Sequence, residues 1–333
     1  DDYDWKGFVR FDRMPEVVNP EKGIIVTAIN KIIDDAYPYH ISNHWEPPWR
    51  AERITEVLQA LPKATLQDMG RLQFDVVSPH ARKVVPRILA ASRPTDSQHD
   101  PRIATALKYL ANWDFSHRPD EVAPTIFQAT FLKIIDNTLK DDLGPQLLGL
   151  YDTLASIPLT VLTRLLEDST STWFDDITTS QIESRDDIVR KSLAEALAGL
   201  QQTLGGEIKE WRWGRVHAVT FGHVFGANAV LRPIFNIGPF SVGGSHSTVS
   251  KGDFRLAQPF ANTIGPSTRR IYDLADMDGT LAVMPPGQSG HVFSGHYKDQ
   301  INLWLHGAYR FFPMSVERWN TSSAHRLLLT PEQ

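Results

Sequence analysis

The sequence predicts an α+β fold in which a helical block interrupts a sheet drawn from both ends of the chain. Three observations lead there. A short run of β-branched and small residues, Ile24-Ile25-Val26-Thr27-Ala28-Ile29, stands near the start. Apolar residues then recur at helical spacing from about residue 51 to 205, and beyond Trp211 glycine, proline, serine and aromatics rise. Strands, then helices, then strands read as α+β rather than as an alternating α/β order. No internal repeat or low-complexity linker divides the chain. Residues 1–333 are therefore expected to form a single domain, with strands and loop over 1–50, a mainly helical excursion over 51–205 and mainly strands over 206–333.

Composition narrows the function classes. At 333 residues the chain is long enough to bury a sizeable core. A formal net charge of −5, with no basic cluster interleaved with aromatics, argues against a nucleic-acid surface. No apolar run approaches the roughly 20 residues that a membrane span needs. The absence of cysteine excludes disulfides, thiolate metal sites and cysteine nucleophiles. The opening Asp1-Asp2-Tyr3-Asp4 does not read as a secretory signal.

Taken in order, Trp5-Lys6-Gly7-Phe8-Val9-Arg10-Phe11 alternates loosely and ends in a turn near residues 13–15. Asn19-Pro20 marks a second turn, because proline presets φ and pushes its predecessor extended. The run 24–29 is too short and too uniformly apolar for a surface helix, so it reads as a strand buried on both faces. An irregular, aromatic-rich crossing with three prolines follows over residues 34–49, and long loops of this kind are often functional. Ile54, Val57, Leu58 and Leu61 then fall at i, i+3, i+4 and i+7, one face of a helix. Thr65 with Asp68 predicts a capping box opening a helix through Met69, Leu72 and Val76. Further helices are predicted at 81–92, 103–112, 125–139, 146–167 and 186–204, the last closed by Gly205-Gly206. Phe127, Phe131, Ile134 and Ile135 make one core-facing stripe, and Leu193, Leu197, Leu200 and Leu204 another.

The residues of the last third do not assemble a catalytic set. Ser289 in Pro286-Gly287-Gln288-Ser289-Gly290-His291 lacks the glycine two places on that a nucleophile elbow needs, so the stretch reads as a tight turn. His217 with His223, and His291 with His296, lack the spacing of the zinc-protease helix. Asp273, Asp276 and Asp278-Gly279 fail the calcium-loop pattern and read as an acidic turn. No metal or cofactor site is expected on these grounds.

Several segments, taken together, resemble the penicillin acylase family of N-terminal nucleophile amidohydrolases. They look like the later part of its large (β) subunit. Trp5-Lys6-Gly7-Phe8, Phe11-Asp12 and Pro15 match the segment that begins WKG, and Val18-Asn19-Pro20 with Gly23 matches VNPxxG. Pro47-Pro48-Trp49-Arg50-Ala51-Glu52-Arg53-Ile54 is similar to PPxRAxRI, and Trp211 to His223 carries WxWGxxHxxxFxH. Phe235-Asn236-Gly238-Pro239, Gly243-Gly244 with Thr248-Val249, then PGQSG at 286–290 and HYxDQ at 296–300 complete the series. The likeness covers nearly the whole chain in order.

The resemblance implies a four-layer αββα sandwich, of which this chain supplies part of the sheets and the helical insertion. It implies hydrolysis of a linear amide, such as a penicillin antibiotic or an N-acyl homoserine lactone whose loss quenches quorum signalling. The nucleophile would be a serine freed by autoproteolytic processing, with its own α-amino group as base, on a segment upstream of Asp1. A small-subunit (α) chain and that upstream part of the β-subunit would be the partners, in the periplasm or outside the cell. One role would fall inside this chain: the family's TANN segment supplies an asparagine to the oxyanion hole. Here the text is Thr27-Ala28-Ile29-Asn30, so without a gap the donor position is Ile29, whose side chain cannot donate. A shift by one residue lets Asn30 substitute, although in a strand that turns the side chain to the opposite face. Arg53 matches an arginine kept near this asparagine, and reads equally as a helical arginine paired with Asp or Glu. The family's calcium aspartate has its counterpart in Ser42-Asn43-His44, which holds no carboxylate, so calcium is not expected here. A second reading is a catalytically weakened homologue that keeps the cleft as a binding or scaffold protein.

Overall fold

The structure of the chain, a computed structural model, describes residues 4, 5, 7–154, 156–323 and 327–331. Asp1-Asp2-Tyr3 and Lys6 of the opening segment lie outside the described residues.

Proline and short polar side chains set the helix starts. Pro47-Pro48 lead into α1 (Trp49–Gln59). Thr65 opens α2 (Leu66–Gln73) with the predicted capping box: its hydroxyl accepts from Asp68 N at 3.2 Å while the Asp68 carboxylate accepts from Thr65 N at 3.0 Å. This helix stops short of Val76, which lies in the loop beyond. Ser78 caps α3 (Pro79–Ala91), and α4 (Pro94–His99) and α5 (Pro101–Ala111) each begin on proline, which has no N–H to leave unpaired. Next come α6 (Ala123–Tyr151), α7 (Ser156–Leu165) and α8 (Arg185–Leu204). The predicted helix at 146–167 is divided between α6 and α7, because Pro158 is accommodated only in the first turn of a new helix. At Gly144 the backbone of α6 leaves helical geometry (φ 68°, ψ 166°), so α6 is two rods joined at Gly144-Pro145.

The core sits in this helical block. Phe127, Phe131, Ile134 and Ile135 of α6 are buried together with Leu193, Leu197 and Leu200 of α8, as their spacing predicts, and Ile88, Leu110, Leu162 and Trp211 close around them. A second, smaller cluster forms around Val242, Val283 and Trp304.

The sheets are small. Strands β1 (Ala218–Phe221) and β2 (Ile237–Ser241) pair antiparallel. Strands β3 (Arg269–Asp273), β4 (Asp276–Val283) and β5 (Arg310–Phe311) form an antiparallel sheet in that order. The architecture is α+β, but two expectations about its strands are corrected. Residues 24–29 are not a strand, and no strand is described anywhere in 1–50. Ile25 and Ile29 are about two-thirds exposed there instead of buried on two faces. Hydrophobic content alone cannot make a strand, because its N–H and C=O groups need a ladder partner, and none of the five strands lies beside this run. Residues 206–333 are likewise mainly irregular, with short strands set among turns: Pro removes a ladder donor, and Gly, which packs no side chain, favours bends. Isolated bridges such as Asp253↔Ile264 and Val219↔Asn262 hold the intervening chain.

Candidate active site

The segment singled out by the sequence is built from a turn, an irregular crossing and a helix start. Gly23 N donates to Pro20 O at 2.8 Å, closing the expected turn, with Asn19 and Gly23 both at positive φ. The chain then reaches Ala28, which is buried, and Ile29, which adopts φ 65°. That left-handed conformation is uncommon for any residue but glycine and asparagine and an outlier for a β-branched one. Three bonds hold it. Glu46 N donates to Ile29 O at 3.0 Å, Arg50 Nη2 donates to Ala28 O at 3.0 Å, and Asn30 Oδ1 accepts from Ala28 N at 3.0 Å. Asn30 Nδ2 donates to Lys31 O at 3.1 Å, which leaves one of its two N–H bonds uncommitted by that contact. Ile29 itself projects an exposed, purely apolar side chain.

Arg53 lies one turn along α1 from Arg50. Its Nε donates to both Asp75 carboxylate oxygens at 3.2 and 3.1 Å, Nη2 donates to Asp75 Oδ2 at 2.7 Å, and Nη1 donates to Glu56 Oε1 at 2.7 Å. Asp75 in turn accepts from Val77 N at 2.9 Å, and its carbonyl accepts from Ser250 N at 2.8 Å. Arg53 is therefore a clamp joining α1 to the loop after α2 and to the loop near 250. No hydrogen bond joins it to Asn30 among the described residues; the two are linked through α1 and Glu46.

Glu46 is the node that sequence reading missed. Its carboxylate accepts from Ser156 Oγ at 3.0 Å and stands 3.7 Å from Lys251 Nζ and 3.9 Å from Arg50 Nη2. Lys251 also pairs with Asp253 at 2.9 Å, and His246 Nδ1 lies 3.3 Å from the same carboxylate. Burial would raise the Asp253 pKa, but His246 and Lys251 outweigh it and hold the group below the usual carboxylate range. Glu46 lies more than two hundred positions from Lys251 and Asp253, so spacing carried no signal of the network.

The motifs of the last third resolve as structure. Trp213 stacks on His217 (centroids 4.5 Å apart), its Nε1 donates to Gly244 O at 3.0 Å, and His217 Nδ1 donates to Phe260 O at 2.6 Å. His223 instead accepts from Phe225 N, so the two histidines do not converge. In the 286–290 turn Ser289 Oγ accepts from His291 N, and a Cβ on Gly287 would collide with His296 O, which requires glycine there. Asp273 and Asp276 pair at the β3–β4 turn, while Asp278 accepts from Met314 N, Ser315 N and Ser315 Oγ. At the loop where a calcium aspartate would stand, Ser42 Oγ accepts from His44 N and donates to His44 O. That closed turn offers no carboxylate, so its donor set does not fit calcium. Among the described residues no group of three His, Asp or Glu side chains is arranged to hold a metal ion.

With this geometry in place, comparison with known proteins decides the family. The profile of the penicillin amidase family matches residues 1–321. The chain belongs to the penicillin amidase family. Among relatives of this family member, the acyl-homoserine lactone acylase QuiP of Pseudomonas aeruginosa is 28% identical over 357 residues, covering 99% of this chain and 42% of that protein. The penicillin acylase 2 proenzyme of a Pseudomonas species is 28% identical over 321 residues, covering 91% of the chain and 38% of the proenzyme. The chain thus spans about two fifths of the length of these curated relatives. A solved structure, the thermostable penicillin G acylase from Alcaligenes faecalis, superposes with a TM-score of 0.59 at 20% identity, over 99% of this chain and 61% of that one. That likeness bears on fold alone, and it agrees with the α+β architecture of this penicillin amidase family member.

Proposed function

We propose that this chain is the later part of the β-subunit of an amidohydrolase that cleaves a linear amide, of the penicillin or N-acyl homoserine lactone kind. The observation that carries the reading is the family match over residues 1–321, reinforced by relatives named as acylases. In the assembled enzyme the short sheets would be part of a four-layer αββα sandwich, and upstream strands would give the 24–29 run the ladder partner it lacks here. The nucleophile would be an N-terminal serine released by autoproteolysis on the upstream segment, with its α-amino group as base. A small-subunit chain would complete the acyl pocket, and the assembly would work in the periplasm or outside the cell. We assign no cofactor to this chain.

This chain's own contribution is the wall that faces the developing oxyanion. Glu46 and Arg50 fix the backbone of residues 28–30, the Arg53–Asp75 clamp anchors the helix that carries Arg50, and Asn30 retains one amide N–H that is free to donate. Such a donor acts only if it points at the tetrahedral oxygen, where a single hydrogen bond is worth about 10²–10³ in rate. Arg53 takes a positioning role through Asp75, without touching substrate.

Ile29 favours a second reading. An apolar side chain at the donor position suits a weakened homologue that binds acyl amides in the cleft and turns them over slowly or not at all. The experiment that separates the two uses the full assembly of upstream segment, small subunit and this chain, with phenylacetyl- and long-chain-acyl amides as substrates. Product release at rates typical of amidases supports the hydrolase. Binding of the same amides without product release supports the binding protein, and failure to bind either amide contradicts both.

A further inference from the structure

Beneath β2 and β3, against the helix at Ile301–Leu305, lies a cavity of about 320 Å³. Its apolar walls come from Phe74, Val242, Trp304 and Leu305, and its charged wall from Arg118, Lys251 and Arg269; no carboxylate lines it. Two of the three cations are already met. Arg118 pairs with Asp114 at 2.9 Å and Glu121 at 2.8 Å, and Lys251 pairs with Asp253 and Glu46.

Arg269 is not. It is 5% exposed, and its guanidinium lies between the rings of Phe74 (5.2 Å) and Trp304 (4.8 Å). Nη1 donates to Trp304 O at 2.8 Å and Nη2 reaches Ser250 Oγ at 3.5 Å, while Nε has no partner. Among the described residues no carboxylate pairs with it. Burial pushes its pKa down, with Tyr309 the opposing influence. Ring faces and neutral dipoles stabilise a guanidinium in part, but a buried cation without a counter-charge is costly unless an anion completes it.

We propose that this cavity is a carboxylate-binding site in which the uncompensated guanidinium of Arg269 receives the carboxylate of an acid with an apolar stem. The side-on edge of a guanidinium matches the two oxygens of a carboxylate. One uncompensated charge calls for a monoanion, and the aromatic and aliphatic walls leave the stem, rather than more polar oxygens, to fill the rest. The volume is that of roughly ten water molecules in the liquid at about 30 Å³ each, enough for a short acid or one acidic side chain. The carboxylate has two possible sources: a free small acid, or an Asp or Glu side chain of the upstream segment. The inference is independent of whether the assembly hydrolyses amides.

The test titrates hexanoate, and hexanamide as its neutral counterpart, into the assembled protein by calorimetry, for the wild type, Arg269→Met and Arg269→Lys. Hexanoate binding that excludes hexanamide and falls at least about tenfold in Arg269→Met identifies a free acid as the ligand. No hexanoate binding, with a companion segment that dissociates at least about tenfold more readily from Arg269→Met, identifies the partner's carboxylate. Arg269→Lys keeps the charge without the fork and falls between, which preserves the comparison should Arg269→Met not fold. Equal binding of hexanoate and hexanamide overturns the proposal. So does an Arg269→Met protein whose hexanoate affinity and assembly both match the wild type.

Discussion

At φ 65° the Ile29 side chain crowds its own carbonyl, a conformation that asparagine or glycine adopts at little cost and a β-branched residue does not. Three hydrogen bonds from outside the residue hold it there, so the strain is imposed by the surroundings. Ile29→Asn should therefore stabilise the folded chain by about 1 kcal/mol in urea denaturation, because it relieves that strain and uncovers no core. A destabilised variant would show that the isoleucine side chain contributes packing that outweighs the strain. Arg53 predicts the opposite sign. Removing it leaves Asp75, mostly buried, without its bidentate partner, so Arg53→Met should cost about 3 kcal/mol or more on the same measurement. Arg53→Lys should recover only part of this, since an ammonium cannot reproduce the fork.

At the scale of elements, what could be read in advance was what is local. The Thr65–Asp68 capping box and the α6 and α8 stripes needed only neighbours three or four residues away, and each stands as predicted. The run 24–29 failed because a strand is a property of two segments, and among the described residues no strand lies beside it. The Glu46–Lys251–Asp253 network was invisible for the same reason: its members meet only through tertiary packing. Chemistry at position 29 was half legible. The text showed isoleucine where the resemblance expects the donor, but only the backbone shows that the residue keeps a conformation suited to asparagine. The break in α6 offers an element-scale prediction. Gly144 occupies a region (φ 68°, ψ 166°) essentially closed to residues with a Cβ, although nothing lies within contact of a Cβ built there. Gly144→Ala should thus cost about 1–3 kcal/mol through backbone strain alone. A neutral result by denaturation would mean that the two rods of α6 can straighten.

At the scale of the whole molecule, buried histidines carry the pH sensitivity between neutral pH and about pH 4. Burial, with lesser repulsion from neighbouring histidines, pushes His80 and His117 down to about 3 and His217 down to about 4. His80 stacks on Trp49 at 4.1 Å, so α1 and the helical core share one neutral imidazole. Below an unfolded pKa near 6.5 the unfolded chain binds protons that the folded chain refuses until pH falls to about 3–4. Stability is therefore full above pH 6.5 and declines on acidification through that window, by about 1.4 kcal/mol per pH unit for each histidine. Urea midpoints that fall steadily between neutral pH and pH 4 would agree, and midpoints flat over that range would not. Above this thermodynamic frame stands the claim that residues 28–30 form the oxyanion-side wall of an amidohydrolase. It is tested most directly by kcat for phenylacetyl and long-chain-acyl amides in the full assembly, comparing wild type, Ile29→Asn and Asn30→Ala. Asn30→Ala should lower kcat by about 10²–10³ with little change in KM, and Ile29→Asn should not lower it. Wild-type turnover that Asn30→Ala leaves unchanged would contradict that claim, as would activity that appears only once Ile29 is replaced by asparagine.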